Sequence, residues 1–171
     1  MSLKSLVTVA TLGAAALACG ASFAQSARDA VPDNMPFNAP YGAPISLDKA
    51  EAVLNAALAE SKKRDWKLIC AVVDSGATLV SLKRQDGAQI ASVAIAEHKA
   101  RAAAQFRRET VLFERGIQNG LNYLITLDGV IGSRGGIPIV DGGKLVGAIG
   151  CSGGTGSQDE VVAKAGIAAY R

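Results

Sequence analysis

Two tight turns between β-rich runs constrain the possible folds of this chain more than any other feature. The turns at 74–77 and 141–143 join, respectively, runs 67–73 with 78–84 and runs 137–140 with 144–151. Both turns contain Asp and Gly, which adopt the backbone conformations that connect adjacent antiparallel strands. The sequence therefore predicts two β-hairpins. Pro138 cannot donate to a strand ladder, so it belongs on an edge strand or at the start of a strand.

Helical periodicity surrounds the two hairpins. Ser46 is an N-cap residue type that precedes the first periodic run. The first predicted helix begins at 47 and ends in the charged segment 61–65, and the others span 89–108, 110–118 and 159–170. In the second helix one stripe begins apolar and becomes mixed, so its first half is expected to face the core; it consists of Ile90, Val93, Ala94, Glu97, Ala100, Arg101 and Ala104. Residues 121–131 fit either a short helix or a strand. This order of elements predicts a single α/β (α+β) domain with helices packed on an antiparallel sheet.

The first 24 residues have the pattern of an export signal. Lys4 is followed by an apolar run over 6–18 and by a small-x-small site that ends at Ala24. The run is shorter than the roughly 20 residues needed to cross a bilayer, so the mature protein is expected to have no transmembrane segment. Lipid attachment at Cys19 is an alternative to cleavage before Gln25. We expect a periplasmic or secreted protein.

Residues 25–44 form a Pro-rich stretch that resists both helix and sheet ladders and predicts an extended arm. Its few apolar side chains suit docking on a surface or on a neighbouring subunit. The folded domain is expected to occupy residues 45–171.

The composition limits the classes of protein to which this chain can belong. The 171 residues are 49% hydrophobic and 19% charged, which is enough to bury a normal core and excludes a disordered chain. A net charge of +3 argues against a nucleic-acid binder, because such domains usually carry a strong basic excess.

After signal removal two cysteines remain, Cys70 and Cys151, each in a predicted strand. We expect two small buried side chains, with a disulfide as the alternative that an oxidising compartment would allow. One histidine and no C-x-x-C motif exclude a structural zinc site.

The run 150–154 matches the G-x-S-x-G pattern of a hydrolase nucleophile turn around Ser152. That architecture needs a histidine after the serine, and the only histidine lies upstream, so serine hydrolysis is not predicted. The same glycines lack the features of a nucleotide loop. Gly153 and Gly154 still allow backbone N–H groups to approach a ligand carboxylate near a helix start, although tight loop packing explains them equally well.

His98 is the only imidazole and hence the strongest single candidate for metal binding or proton transfer. It follows Glu97 on the predicted helix and points about 100° away from it, towards the face of Ala91, Ala94, Ile95, Arg101 and Ala102. A surface or half-buried structural role is the competing interpretation. A loose basic set could pair with ligand carboxylates, although most of its members are expected on a solvated face: Lys99, Arg101, Arg107, Arg108, Arg115 and Arg134.

Several ordered segments together resemble one protein family. They are the 47–58 helix, the run 72–76, residues 99–101 with 106–110, and the C-terminal run 135–154 with Asp159 and 165–166. This set is similar to the haem-binding family typified by the glycolate-operon protein GlcG and the secreted protein HbpS, and it covers about residues 45–170.

The resemblance implies a five-stranded antiparallel sheet packed by helices, assembly into homo-oligomers, and binding of haem or a related tetrapyrrole. His98 is then the candidate axial ligand of the haem iron, by its chemistry, with Met35, Tyr41, Tyr123 and Tyr170 as weaker alternatives. The predicted ligand-binding set is His98, Arg101, Arg134, Gly153 and Gly154.

Two functions remain open from the sequence. The first is an exported haem carrier or sensor that handles iron outside the cytoplasm. The second is an enzyme or enzyme accessory that binds a small carboxylate or aromatic metabolite in a Gly-rich pocket.

Overall fold

The two predicted hairpins lie side by side in one antiparallel sheet in the computed structural model, which describes residues 33–35 and 37–171. The strands are β1 (Ile69–Asp74), β2 (Leu79–Arg84), β3 (Gly136–Asp141) and β4 (Lys144–Ser152), in the order β2-β1-β4-β3. The α+β fold class is confirmed, with four strands among the described residues where the resemblance implies five. The predicted export signal, residues 1–24, lies outside the described residues.

In the described residues four α-helices accompany the sheet: α1 (Leu47–Lys63), α2 (Ser92–Phe106), α3 (Val111–Gln118) and α4 (Gly156–Ala168). The ambiguous segment contains a short 3-10 helix at Asn122–Thr126. The Ser46 side chain accepts a hydrogen bond from the Lys49 N–H, as expected of an N-cap. Helix α4 begins three residues before its predicted start because Thr155 and Gln158 form a capping box there.

Helices cover both faces of the sheet. Cys70 and Val72 of β1 pack with residues of α1 and α4, whereas the alternate residues Ile69, Ala71 and Val73 face alanines of α2. This alternation follows from the two-residue period of a strand. The central strands β1 and β4 are therefore enclosed on both sides, which explains their nearly continuous burial.

Helix α2 lies unusually close to the sheet. A Cβ atom on Gly150 would lie 2.1 Å from the Ala96 carbonyl oxygen, and one on Gly136 would lie 2.3 Å from the Lys99 carbonyl oxygen. Only glycine fits at these two positions. Two members of the predicted stripe, Ala100 and Ala104, do face the sheet, but its first half is wrong because Ile90 and Ala94 are exposed. Backbone contact selects small side chains for the inner face, which also contains Ala96 and Ala103.

The Pro-rich stretch is held against the domain at its C-terminal end. Strand β1 ends at Asp74, opposite Gly147, which leaves the first residues of β4 open on that side. The Leu145 N–H donates to the Pro40 carbonyl at 2.8 Å, and Gly42 and Ile45 donate to Leu145 and Val146. The last residues of the stretch are therefore docked on the domain, where they form backbone hydrogen bonds with β4.

The two cysteines are bonded, which corrects the expectation of two separate buried thiols. Cys70 of β1 lies directly opposite Cys151 of β4, their Cα atoms are 4.2 Å apart, and their sulfur atoms are joined at 2.05 Å. Both are fully buried. The pairing depends on the register between strands 81 residues apart in sequence, which local patterns do not reveal.

Within the part of the chain that the structure describes, no helix has the length and apolar character needed to span a bilayer.

Breaking the disulfide should destabilise the domain considerably. For a loop of 81 residues, the loss of the cross-link is expected to lower the free energy of unfolding by roughly 4 kcal/mol. We expect oxidised protein that begins at Gln25 to show no reactive thiol in denaturant, and its urea midpoint to fall on reduction. The double variant Cys70→Ala/Cys151→Ala serves as the control, because its midpoint should not respond to reductant. Two reactive thiols in the oxidised wild type would contradict the pairing.

Candidate functional site

The outer face of α2 carries a line of apolar side chains that leads to His98. Ala91 and Ala94 are exposed, and Ile95 and His98 are half-buried. Ile90, just before the helix, is also exposed. Spacings of three and four residues place these side chains on one stripe of the helix. The predicted direction of His98 agrees with this arrangement, and the imidazole borders an apolar surface that the described domain leaves in contact with solvent.

The imidazole ring contacts the loop that follows the 3-10 helix. Its Nε2 atom lies 3.3 Å from the Gly129 carbonyl oxygen. A carbonyl can only accept, so this contact assigns the proton to Nε2 and leaves Nδ1 unprotonated in the neutral ring. A single long hydrogen bond near solvent contributes little stability and can be exchanged for a stronger interaction. The ring is therefore available to a metal ion.

The segment before this loop exposes four large apolar side chains: Leu121, Tyr123, Ile125 and Leu127. Ile125 is 70% exposed. Leu124 anchors the segment, because it is buried against α3, where a Cβ on Gly116 would lie 2.6 Å from its Cδ1 atom. With Leu124 directed inward, its neighbours point outward. Clusters of exposed large apolar side chains are typical of interaction sites. We call residues 90–98 and 121–129 together the His98 surface.

Arg101 lies one turn beyond His98 on α2 and is half-exposed. Its Nε atom donates to Glu97 Oε1 at 3.0 Å. Exposed pairs of this kind within one helix contribute at most a few tenths of a kcal/mol, roughly 0.3–0.5. Arg101 could therefore exchange this partner for a ligand carboxylate at small cost.

Arg134 has stronger partners within the protein. Its guanidinium lies 2.6 Å from Glu114 Oε1 and 3.4 Å from Glu160 Oε2. The hydrogen bond from Arg134 is the main reason that the pKa of Glu114 is lowered from its usual value. A ligand carboxylate at Arg134 would have to displace one of these glutamates. That Arg134 binds a ligand stays a prediction. Arg134 is paired with two glutamates, whereas the His98 ring has, among the described residues, a single hydrogen bond, with the Gly129 carbonyl.

The amides of the Gly-rich loop are also engaged. The Gly154 N–H donates to Asp159 Oδ1 at 3.0 Å, and the Thr155 N–H donates to Gln158 Oε1 at 2.8 Å. Gly153 has a φ of +146° and lies against the Lys67 carbonyl, a position that excludes any Cβ. The loop thus already holds a carboxylate, which is that of Asp159.

The largest departure from expectation is the position of Lys99. The sequence predicts a solvated face for most of the basic set to which it belongs, but the Lys99 side chain is only 1% exposed and its ammonium lies 2.7 Å from Asp159 Oδ2. The ammonium also donates to the Cys151 carbonyl at 3.2 Å. Burial raises the pKa of Asp159, and the charge of Lys99 opposes that rise. The correction has a physical reason: Lys99 falls between Ala96 and Ala100 on the inner face of α2.

Ser152 lies at the end of β4 and is buried, where its Oγ lies 3.0 Å from Ser92 Oγ. This contact ties the start of α2 to the sheet. The serine of the G-x-S-x-G pattern is therefore hydrogen-bonded to another hydroxyl group and not to the histidine that a hydrolase nucleophile requires.

Two of the weaker axial-ligand candidates already use their hydroxyl groups. Tyr41 donates to the Gln105 carbonyl at 2.8 Å, and Tyr170 donates to Asp141 Oδ2 at 2.9 Å. Burial and Asp141 raise the pKa of Tyr170, which disfavours the phenolate that an iron ion would bind. Tyr123 is exposed on the His98 surface. His98 and Tyr123 are thus the accessible ligand candidates on that surface.

Comparison with known proteins decides the family. Residues 45–168 match the family model described as "Haem degrading protein HbpS-like". The chain belongs to this HbpS-like family. Protein GlcG of Escherichia coli K12 is 39% identical over 108 residues, which cover 63% of this chain and 81% of GlcG. The resemblance seen in the sequence is therefore confirmed.

Solved structures of the family share the fold. A double mutant of Streptomyces reticuli HbpS is 26% identical, with a TM-score of 0.71 over 83% of this chain and 98% of that chain. The PduOC:Heme complex is 25% identical, with a TM-score of 0.67 over 74% of this chain and 94% of that chain. The family fold thus extends over nearly all of the described domain.

The Lys99–Asp159 pair should couple strongly in a double-mutant cycle. Lys99→Met leaves a buried carboxylate without its partner, and we expect a loss of about 3–5 kcal/mol in the free energy of unfolding. Lys99→Met combined with Asp159→Leu should cost clearly less than the sum of the single changes. Urea unfolding measures all three variants. Lys164→Met, which removes an exposed lysine paired with Glu160, is the matched control and should cost less than about 1 kcal/mol. Additive losses at Lys99 and Asp159 would contradict the coupling.

Proposed function

We propose that this chain binds haem or a related tetrapyrrole on the His98 surface, with the imidazole of His98 as the axial ligand of the iron. The observation that carries the proposal is a single accessible imidazole, held by one long hydrogen bond and bordered by exposed apolar side chains. The description of the family and the haem complex of PduOC support it.

The chemistry of a tetrapyrrole matches the groups on this surface. The macrocycle is flat and apolar, so it gains free energy when it covers exposed apolar side chains of this surface such as Ile125. Imidazole is a common protein ligand of haem iron. Arg101, one turn beyond His98, can exchange Glu97 for a propionate through charge-assisted hydrogen bonds. These three contacts suffice to orient the ligand.

The alternative, a metabolite pocket at the Gly-rich loop, gains no support from the bonding there. The amide of Gly154 is occupied by Asp159, and Arg134 is occupied by Glu114 and Glu160. A small carboxylate would compete with carboxylates that the fold already supplies. The haem proposal is therefore the one that we develop.

The first test is a hemin titration of the mature protein followed by its Soret band. We expect saturable binding in the wild type. His98→Ala should shift the Soret maximum and weaken binding at least about tenfold, whereas Arg101→Ala should weaken it by about tenfold with little spectral shift. Addition of free imidazole to His98→Gly should restore the wild-type spectrum.

Arg64→Ala is the matched control for Arg101→Ala, because Arg64 follows α1 on the other side of the sheet. It should bind hemin as the wild type does. His98 is half-exposed, so circular dichroism should show that its variants remain folded. Unchanged affinity and spectrum in His98→Ala would contradict the axial assignment. Failure of the wild type to saturate would contradict haem binding itself.

We further propose that the protein is exported and acts in haem or iron handling outside the cytoplasm. The predicted signal over residues 1–24 and the buried disulfide support this independently, because disulfides persist in oxidising compartments. Protein from the native host should begin at Gln25 and be recovered outside the cytoplasm. Ala24→Leu should accumulate the longer form, since the cleavage site requires a small residue. An intact Met1 on cytoplasmic protein would contradict export.

Assembly into at least a dimer is also proposed. An open surface covers only one face of a flat macrocycle, and the exposed apolar side chains of residues 121–127 are suited to contact with a second copy. Light scattering of the mature protein should give a mass of at least two chains. A monomer at micromolar concentration, with and without hemin, would contradict assembly.

A further inference from the structure

A cavity of about 320 Å³ opens between the end of α1 and the first hairpin. It is lined by Leu58, Lys62, Lys67, Arg84, Gln85 and Asp86. None of these residues belongs to α2 or to the segment 121–129, so the cavity is separate from the His98 surface. Its volume lies at the lower end of the range for small-molecule sites, roughly 300–1,000 Å³.

The side chain of Gln85 gives this cavity a fixed hydrogen-bond donor. Gln85 is only 8% exposed, and its Oε1 atom accepts from the backbone N–H of Leu68 at 2.7 Å. Because a backbone N–H can only donate, this contact fixes the orientation of the carboxamide. The same oxygen lies 2.6 Å from Ser61 Oγ, which holds the side chain from a second direction.

The amide nitrogen of Gln85 is the part of this lining side chain that has no partner in the described domain. In residues 33–35 and 37–171, every fully buried side-chain polar atom has a hydrogen-bond partner. Gln85 Nε2 donates to no group in that part of the chain, so it is not fully buried, and Gln85 itself lines the cavity. Its donor hydrogens are therefore free to bind a molecule that enters the cavity.

The charge of the lining favours an anion. Lys62, Lys67 and Arg84 are opposed by a single carboxylate, that of Asp86. Among the residues that the structure describes, neither Lys62 nor Arg84 forms an ion pair. Lys67 lies 2.6 Å from Asp65, whose side chain is 88% exposed, so that pair is screened by solvent. Lys62 also stabilises the last turn of α1, so Gln85 and Arg84 are the lining groups most specific to an anion in the cavity.

We infer that this cavity binds a small organic anion. Its carboxylate or phosphate oxygens accept hydrogen bonds from Gln85 Nε2 and pair with Arg84 and Lys62, while its apolar part lies against Leu58. Arginine suits both oxyanions because its planar guanidinium donates two parallel hydrogen bonds. This inference does not depend on haem binding.

Titration of the whole protein with inorganic phosphate and with benzoate, at constant ionic strength, tests the site. Two-dimensional NMR should show saturable shifts of the Gln85 side-chain amide and of backbone amides in 84–87 with at least one probe. The probe that binds more tightly identifies the oxyanion group that the site prefers. Arg84→Gln should weaken binding at least about tenfold. Gln85→Glu keeps the accepting oxygen, replaces the donor with a negative charge, and should abolish binding.

Arg64→Gln is the matched control, because Arg64 is a neighbouring exposed cation that does not line the cavity. It should change the affinity by less than about twofold. Shifts that do not saturate with either probe would overturn the inference. Equal weakening by Arg64→Gln and Arg84→Gln would also overturn it, since it would indicate general attraction to a basic surface. Hemin binding should be the same in Arg84→Gln and wild type, which separates this test from that of haem binding.

Discussion

The close approach of α2 to the sheet is the constraint on which the rest of the structure depends. Gly136 and Gly150 allow backbone contact, and the alanines on the inner face of the helix fill the remaining space. Close packing of this kind tolerates almost no added volume. Lys99 completes the contact, because its ammonium reaches beyond the helix to Asp159 at the start of α4. One helix is thereby fixed to β3, β4 and α4 together.

The orientation of the candidate site follows from that contact. His98 precedes Lys99, and successive residues on a helix point about 100° apart. Since Lys99 is buried, His98 must point away from the Lys99–Asp159 contact, towards the loop at Gly129 and the solvent. The orientation of α2 about its own axis therefore determines both that Lys99 is buried in an ion pair and that His98 is exposed. The same pair keeps the Gly-rich loop occupied, because the carboxylate of Asp159 accepts from Gly154.

Local chemistry made the hairpins and the start of α1 predictable. Turn residues at 74–77 and 141–143 specify their hairpins regardless of what packs on them, and Ser46 marks the start of α1. Three features were not predictable in this way. The inner face of α2 is selected by fit against glycine and not by hydrophobicity. The disulfide and the Lys99–Asp159 pair each join residues 60 or more positions apart, at a register that only the folded sheet determines.

The central claim, that haem lies on the His98 surface, is tested most directly by hydrogen exchange of the backbone amides with and without hemin. The account predicts slower exchange in residues 90–98 and 121–129 when hemin is bound. It predicts no change around the cavity, in residues 61–68 and 84–87. Slower exchange confined to the Gly-rich loop at 150–158, or to any region other than the His98 surface, would contradict the claim.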